Sequence, residues 1–138
     1  MTSQGYLIDT NIVSELMKNK PNGSVTHWLS THENLFLSTL TIGELLRGAQ
    51  NLRERHGESV RAEALDAWIA KLEQGFSERI LPVDQTVAHA WSKLPHHRTL
   101  PPIDSLIAAT ALAHHLAVVT RNVKDFADLQ VTIINPFE

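Results

Sequence analysis

The segment Tyr6-Leu7-Ile8-Asp9-Thr10-Asn11-Ile12-Val13-Ser14-Glu15-Leu16-Met17 orders the rest of the chain around it. A short apolar run ends on a carboxylate, and Ile12, Val13, Leu16 and Met17 then recur at helical spacing. That is a strand running directly into a helix, with Thr10 or Asn11 placed to cap it. Pro21-Asn22-Gly23 stops the helix, and Ser24 is placed to cap a second one carrying Val25, Trp28 and Leu29. Leu35-Phe36-Leu37-Ser38 reads as the next strand. From Thr41 to Phe76 the pattern is helical apart from a break near His56-Gly57, which predicts a helical pair. Ile80-Leu81-Pro82-Val83 is a short strand, Asp84 caps a helix with Val87, Ala88 and Trp91, and Pro101-Pro102 introduces a helix over 103–115. Ala117-Val118-Val119-Thr120 and Val131-Thr132-Ile133-Ile134 are the last strands. Short apolar runs alternating with amphipathic helices predict an α/β fold with a short, mostly parallel sheet.

The chain has 138 residues, enough for one domain over 1–138, and 43% hydrophobic with 20% charged residues is a globular balance. A net charge of −3 excludes a broadly basic nucleic-acid binder, so any such contact has to be local. The negative excess falls on residues 56–92, which hold six acids and three bases, and a solvated helix face accounts for it. With no Cys there is no disulfide scaffold, Cys-ligated zinc or thiol nucleophile. Met1-Thr2-Ser3-Gln4-Gly5 lacks the basic start of a signal peptide, and Leu106–Val119 is cut by Thr110 and His114-His115, too polar to span a bilayer. A cytoplasmic protein without membrane contact is expected.

Several acids fall at strand ends, where open α/β sheets place ligand sites. Asp9 follows the first strand, and position alone leaves helix cap and ligand equally open. Asp104, two residues after Pro102, sits in a first helical turn, where backbone N–H groups and the helix dipole favour an ionised carboxylate. Thr41-Ile42-Gly43-Glu44 matches a capping box, so the pattern favours Glu44 reaching back to Thr41, with a metal-facing role still open. Asn122 and Asp125 follow the strand ending at Thr120, although both residue types also serve as turn formers. A parallel sheet brings Asp9, Glu44, Asp104 and one of Asn122 or Asp125 to one edge. Clustered carboxylates call for a divalent cation, and oxygen ligands select Mg²⁺ or Mn²⁺. Such a cation activates water and neutralises a phosphodiester under attack, which points to metal-assisted phosphodiester hydrolysis.

Leu7-Ile8-Asp9-Thr10-Asn11, Leu37-Ser38 to Glu44-Leu45, Pro102-Ile103-Asp104-Ser105-Leu106-Ile107-Ala108-Ala109-Thr110-Ala111, Thr120-Arg121-Asn122 to Asp125-Phe126 and Asn135-Pro136-Phe137 together resemble the PIN-domain family. Within it they resemble the VapC-type toxins of bacterial type II toxin–antitoxin systems, from residue 6 to residue 137. The resemblance implies a three-layer α/β/α fold and an acidic Mg²⁺ or Mn²⁺ pocket acting as an endoribonuclease. It implies Asp9 and Asp104 as principal metal ligands, Glu44 as third acid, and Thr10 and Thr120 as groups orienting the carboxylates. It also implies a homodimer silenced by a VapB-like antitoxin. Where many relatives carry a fourth acid this chain has Asn122, which implies one well-bound cation with Asp125 near the pocket rim.

Arg47, Arg121 and Lys124, with Lys18 and Lys20, are the candidates for RNA phosphates. Trp28, Trp68 and Trp91 fall on apolar helical faces, so core packing is expected of all three. His96-His97 and His114-His115 do not make an HExxH pair, and there is no Gly-rich phosphate loop or Gly-x-Ser-x-Gly elbow. Two other readings stand beside the nuclease. One is a catalytically impaired PIN-like module that binds RNA or protein, suggested by Asn122. The other is a receiver-like domain, which lacks the Lys its pocket needs.

Overall fold

The structure is a computed structural model and describes residues 4–95 and 97–138. The N-terminal reading of Met1, Thr2 and Ser3, and the His96 half of the His96-His97 pair, lie outside these residues. Five strands form one parallel sheet in the order β3-β2-β1-β4-β5: β1 (Gly5–Ile8), β2 (Leu35–Ser38), β3 (Ile80–Leu81), β4 (Leu116–Val119) and β5 (Ile133–Ile134). The first strand made is the middle one, and sheet order reverses on either side of it. β3 and β5 are shorter than the sequence predicts. Pro82 has no N–H to continue the ladder, and β5 begins only at Ile133 although the Thr132 carbonyl already accepts from Val118 N.

Strand alternation separates two cores. Leu7 and Val118 point to one face, against Val87, Leu94, Ile107, Ala108 and Phe126. Ile8 and Val119 point to the other, against Ile12, Val13, Val25, Leu45 and Ile69. The first face is covered by α5 (Gln85–Ser92), α6 (Pro102–Ala113) and α7 (Val123–Phe126), and the second by α1 (Thr10–Leu16), α2 (Gly23–Thr31), α3 (Thr39–Arg55) and α4 (Ser59–Gly75). This is the three-layer α/β/α arrangement expected. The predicted helical pair is α3 and α4, turned at Gly57, whose φ of 61° suits glycine. An Arg53–Asp66 ion pair at 2.7 Å joins the two helices.

Two caps differ from expectation, and at α1 the cap reading of Asp9 holds over those of Thr10 and Asn11. Asp9, rather than Thr10 or Asn11, caps α1; Asn22, rather than Ser24, caps α2; and Ser38, rather than Thr41, caps α3. The reason at α1 and α3 is that no loop intervenes, so the residue ending the strand is the one facing the helix's free N–H groups. Asp84 caps α5 as predicted, accepting from Val87 N at 3.1 Å. Trp28 and Trp68 are half-buried within the second core. Trp91 contradicts the core reading. It is 48% exposed, because its indole N–H turns to the Ser105 hydroxyl 3.0 Å away and leaves the ring's outer face in solvent.

Candidate active site

Asp9 leaves the carboxyl end of the central strand and is 3% exposed. Its Oδ1 accepts from Thr10 N at 2.8 Å, while its Oδ2 accepts from the Thr120 hydroxyl at 2.8 Å and from Asn11 Nδ2 at 3.2 Å. Cap and site are therefore one residue: one oxygen is used by the helix and the other faces the next strand's end. Thr120, fully buried, also accepts from Asn11 Nδ2 at 3.1 Å and from Asn122 N at 3.0 Å. Asn11 closes the ring by accepting from Arg121 N at 3.1 Å.

Glu44 does not complete a capping box. With the cap at Ser38, Thr41 is the third helical residue and not the cap, so Glu44 lies a turn too far along the helix to reach back to the cap backbone N–H. Glu44 instead accepts from the Thr10 hydroxyl at 2.6 Å, and the Thr41 hydroxyl stands 3.1 Å from that same oxygen. Thr10 has one proton, given to the carboxylate, so Thr41 donates to Thr10. A Thr–Thr–Glu chain thus links α1 to α3.

Asp104, in the first turn of α6, is half-buried and hydrogen-bonded to the Asp125 side chain. Burial pushes its carboxyl up from 3.8 to about 6, and the charges of Asp9, Asp125 and Glu44 push the same way. Burial first, and the neighbouring carboxylates after it, work against the preference of the first helical turn for the ionised form. Asp9 also lies above its ordinary value, chiefly through burial, against which the bonds from Thr120 and Thr10 pull it down. Asp125 is the fourth acid of the group. It stands half-buried beside Asp104, which lines the pocket. Asn122 lines the pocket and gives α7 no side-chain cap.

The pocket has a volume of about 400 Å³ and opens between Asp9, Glu44, Asp104, Lys18, Arg121 and Phe137. Of the expected RNA contacts, Arg121 and Lys18 line it. Arg47, Lys20 and Lys124 are exposed elsewhere. The Arg121 guanidinium lies 4.4 Å from the centre of the Phe137 ring. Lys18 pairs at 2.9 Å with Glu15, a buried acid that also accepts from Asn22 N at 2.9 Å and lies below its ordinary range, chiefly through Lys18. Asn11, Glu15 and Phe137 were not singled out as site residues from sequence. A carboxylate three residues after Ile12, on the buried side of α1, was the available signal for Glu15.

The donor set fits a hard divalent cation. Four carboxylates share one sheet edge, and among the described residues none of them has a Lys, Arg or His nitrogen at ion-pair distance. The fit is one of chemistry and not of a closed cage: among the described residues no three acid or imidazole side chains already surround one point. Mg²⁺ tolerates that, since it keeps several waters and is held through one or two carboxylates.

Toxin FitB of Neisseria gonorrhoeae is 35% identical to this chain, over 95% of it and 97% of the relative. VapC ribonuclease Y4jK of Sinorhizobium fredii is 30% identical, over 96% and 97%. The crystal structure of FitAcB from Neisseria gonorrhoeae matches with a TM-score of 0.81 and 34% identity, covering 96% of this chain and 99% of that one. The PIN domain matches residues 6–131, and with the parallel sheet and the acids at its carboxyl edge it shows that this chain belongs to the PIN-domain family.

Proposed function

We propose that this chain is a metal-dependent endoribonuclease and the toxin of a toxin–antitoxin pair. The observation that carries the reading is the group of four carboxylates, Asp9, Glu44, Asp104 and Asp125, near the central strand's end, with no cationic side chain of the described residues at ion-pair distance from them. Relatives named as a toxin and as a VapC ribonuclease support it across nearly the whole chain.

Asp9 and Asp104 would hold Mg²⁺ or Mn²⁺, with Glu44 as the third acid and Asp125 beside Asp104. When bound, the cation supplies Lewis acidity, lowering the pKa of a water and offsetting charge on the phosphodiester. Thr10 fixes Glu44, and Thr120 and Asn11 fix Asp9, so that the carboxylates are aimed before substrate arrives. Arg121 and Lys18 meet the RNA phosphates at the pocket mouth. Hydrolysis would add one water across a P–O ester bond: its oxygen would join phosphorus, one proton would go to the departing ester oxygen, and the other would leave to solvent. A VapB-like antitoxin silences the enzyme, and the working unit is a homodimer in the cytoplasm.

The test is purified total RNA incubated with the chain and Mg²⁺ or Mn²⁺, with EDTA, and with Asp104→Asn. Discrete fragments that need the metal and vanish with the variant are expected. A folded, antitoxin-free chain that cuts nothing would move the assignment to an RNA- or protein-binding module.

A further inference from the structure

The connection between α5 and α6 carries Arg98, whose guanidinium reaches across to α7. Its Nε donates to Asp128 Oδ2 at 3.1 Å, its Nη2 to Asp128 Oδ1 at 2.7 Å, and the same Nη2 to the backbone carbonyl of Asp125 at 3.0 Å. His97 Nε2 adds a contact to Asp128 Oδ2. α7 has only four residues and no side-chain cap at Asn122, so it cannot hold its own shape. Among the described residues it is held by the Asn122 N–H on the Thr120 hydroxyl, by Phe126, fully buried in the first core, and by the Arg98 fork. Arg98 holds the backbone of the very residue whose carboxyl meets Asp104.

We propose that Arg98 is a positioning residue for the acidic pocket: by gripping Asp128 with a two-pronged fork and the Asp125 carbonyl with one prong, it sets where the Asp125 carboxylate stands against Asp104, and so the pocket's affinity for a divalent cation. This rests on the reading of the pocket as a metal site. Only a planar fork serves, because the Asp128 carboxylate and the Asp125 carbonyl are held by one rigid group. The Arg98 and Asp128 side chains are 30% and 39% exposed, and ion pairs at such exposure contribute little to overall stability. Loss of Arg98 should therefore appear in metal binding before it appears in unfolding.

The experiment is Mn²⁺ titration of the full chain by calorimetry, without RNA, beside thermal melting. Arg98→Ala is expected to weaken Mn²⁺ binding about tenfold, in the range seen for groups that orient metal ligands, with little change in Tm. Arg98→Lys, a point charge without a fork, should restore only part of the affinity. Asp128→Asn, a near-isosteric change that removes the fork's partner, should weaken binding in the same direction and stands in should Arg98→Ala fail to fold. In an Asp125→Asn background, Arg98→Ala should cost nothing further, since the residue it acts through is already neutral. Wild-type affinity in Arg98→Ala or in Asp125→Asn, or full additivity of the two, overturns the assignment while leaving the metal reading intact. A wild-type chain that takes up no Mn²⁺ overturns both.

Discussion

The Thr10 hydroxyl donates to Glu44 Oε1 at 2.6 Å, so the start of one helix sets the side-chain direction of an acid 34 positions further on. Thr10→Val keeps the shape and removes the proton. Glu44 is then free to turn, and the Thr41 hydroxyl loses its acceptor, at a stability cost of about 1 kcal/mol. The expected outcome is a folded chain that needs about tenfold more Mn²⁺ for half-maximal cleavage. An unchanged Mn²⁺ requirement would mean that α3 alone places Glu44.

Asp104 predicts an unusual pH dependence for the metal-free chain. Its carboxyl is raised from 3.8 to about 6 in the folded state, so between those values the folded chain binds more protons than the unfolded one. Stability contributed by this group is thus lost as pH rises from about 4 to about 6 and stays lost above. In EDTA at pH 7.5, Asp104→Asn should melt at a higher temperature than wild type, while cutting no RNA. The gap should close below pH 4 and shrink when Mn²⁺ is added to the wild type. Melting curves across pH settle it, and a variant less stable than wild type at pH 7.5 contradicts the crowding described above.

At the pocket mouth, Phe137 holds Arg121 by its ring face. Phe137→Leu keeps an apolar contact and removes the ring quadrupole, a loss of about 0.5–1 kcal/mol at exposed sites. KM for RNA should rise about two- to fivefold with kcat little changed. A fall in kcat at constant KM would put Arg121 in the chemical step.

The bond from Trp91 to Ser105 concerns stability alone. Trp91→Phe leaves the Ser105 hydroxyl, which itself donates to the Pro102 carbonyl at 2.8 Å, without a donor. Chemical denaturation should show a loss of about 1 kcal/mol with RNA cleavage intact. Reduced cleavage would show that the start of α6, and Asp104 with it, shifts when the indole is lost.

What sequence could tell is bounded by what is local. The strand-to-helix junction at Ile8-Asp9-Thr10 was legible because the change of period falls at one residue, and Pro101-Pro102 marked α6 to within a residue. That Asp9, Glu44, Asp104 and one of Asn122 or Asp125 would share an edge was also legible, since parallel strands carry their following residues to one edge. Which bonds each acid makes was not. Glu44 matched a capping box, and only Ser38 taking the cap freed it to bond Thr10 across the sheet edge. Asp104 looked dipole-stabilised because the helix is local, while what raises its pKa is burial in the folded chain and then the charges of residues 9, 125 and 44. Trp91 read as core from its helical face, yet a single hydrogen bond to a neighbouring helix decides how it lies.

The central place of β1 has a consequence in time. A ribosome delivers the acids in the order 9, 44, 104 and 125, and the strand that fills β1's second edge, β4, comes after the third of them. A nascent or prematurely released chain therefore carries at most two of the carboxylates until α6 is made, beside a strand with one edge still bare. The sheet edge that gathers these acids is thus completed in one step near the end of translation and not gradually along it.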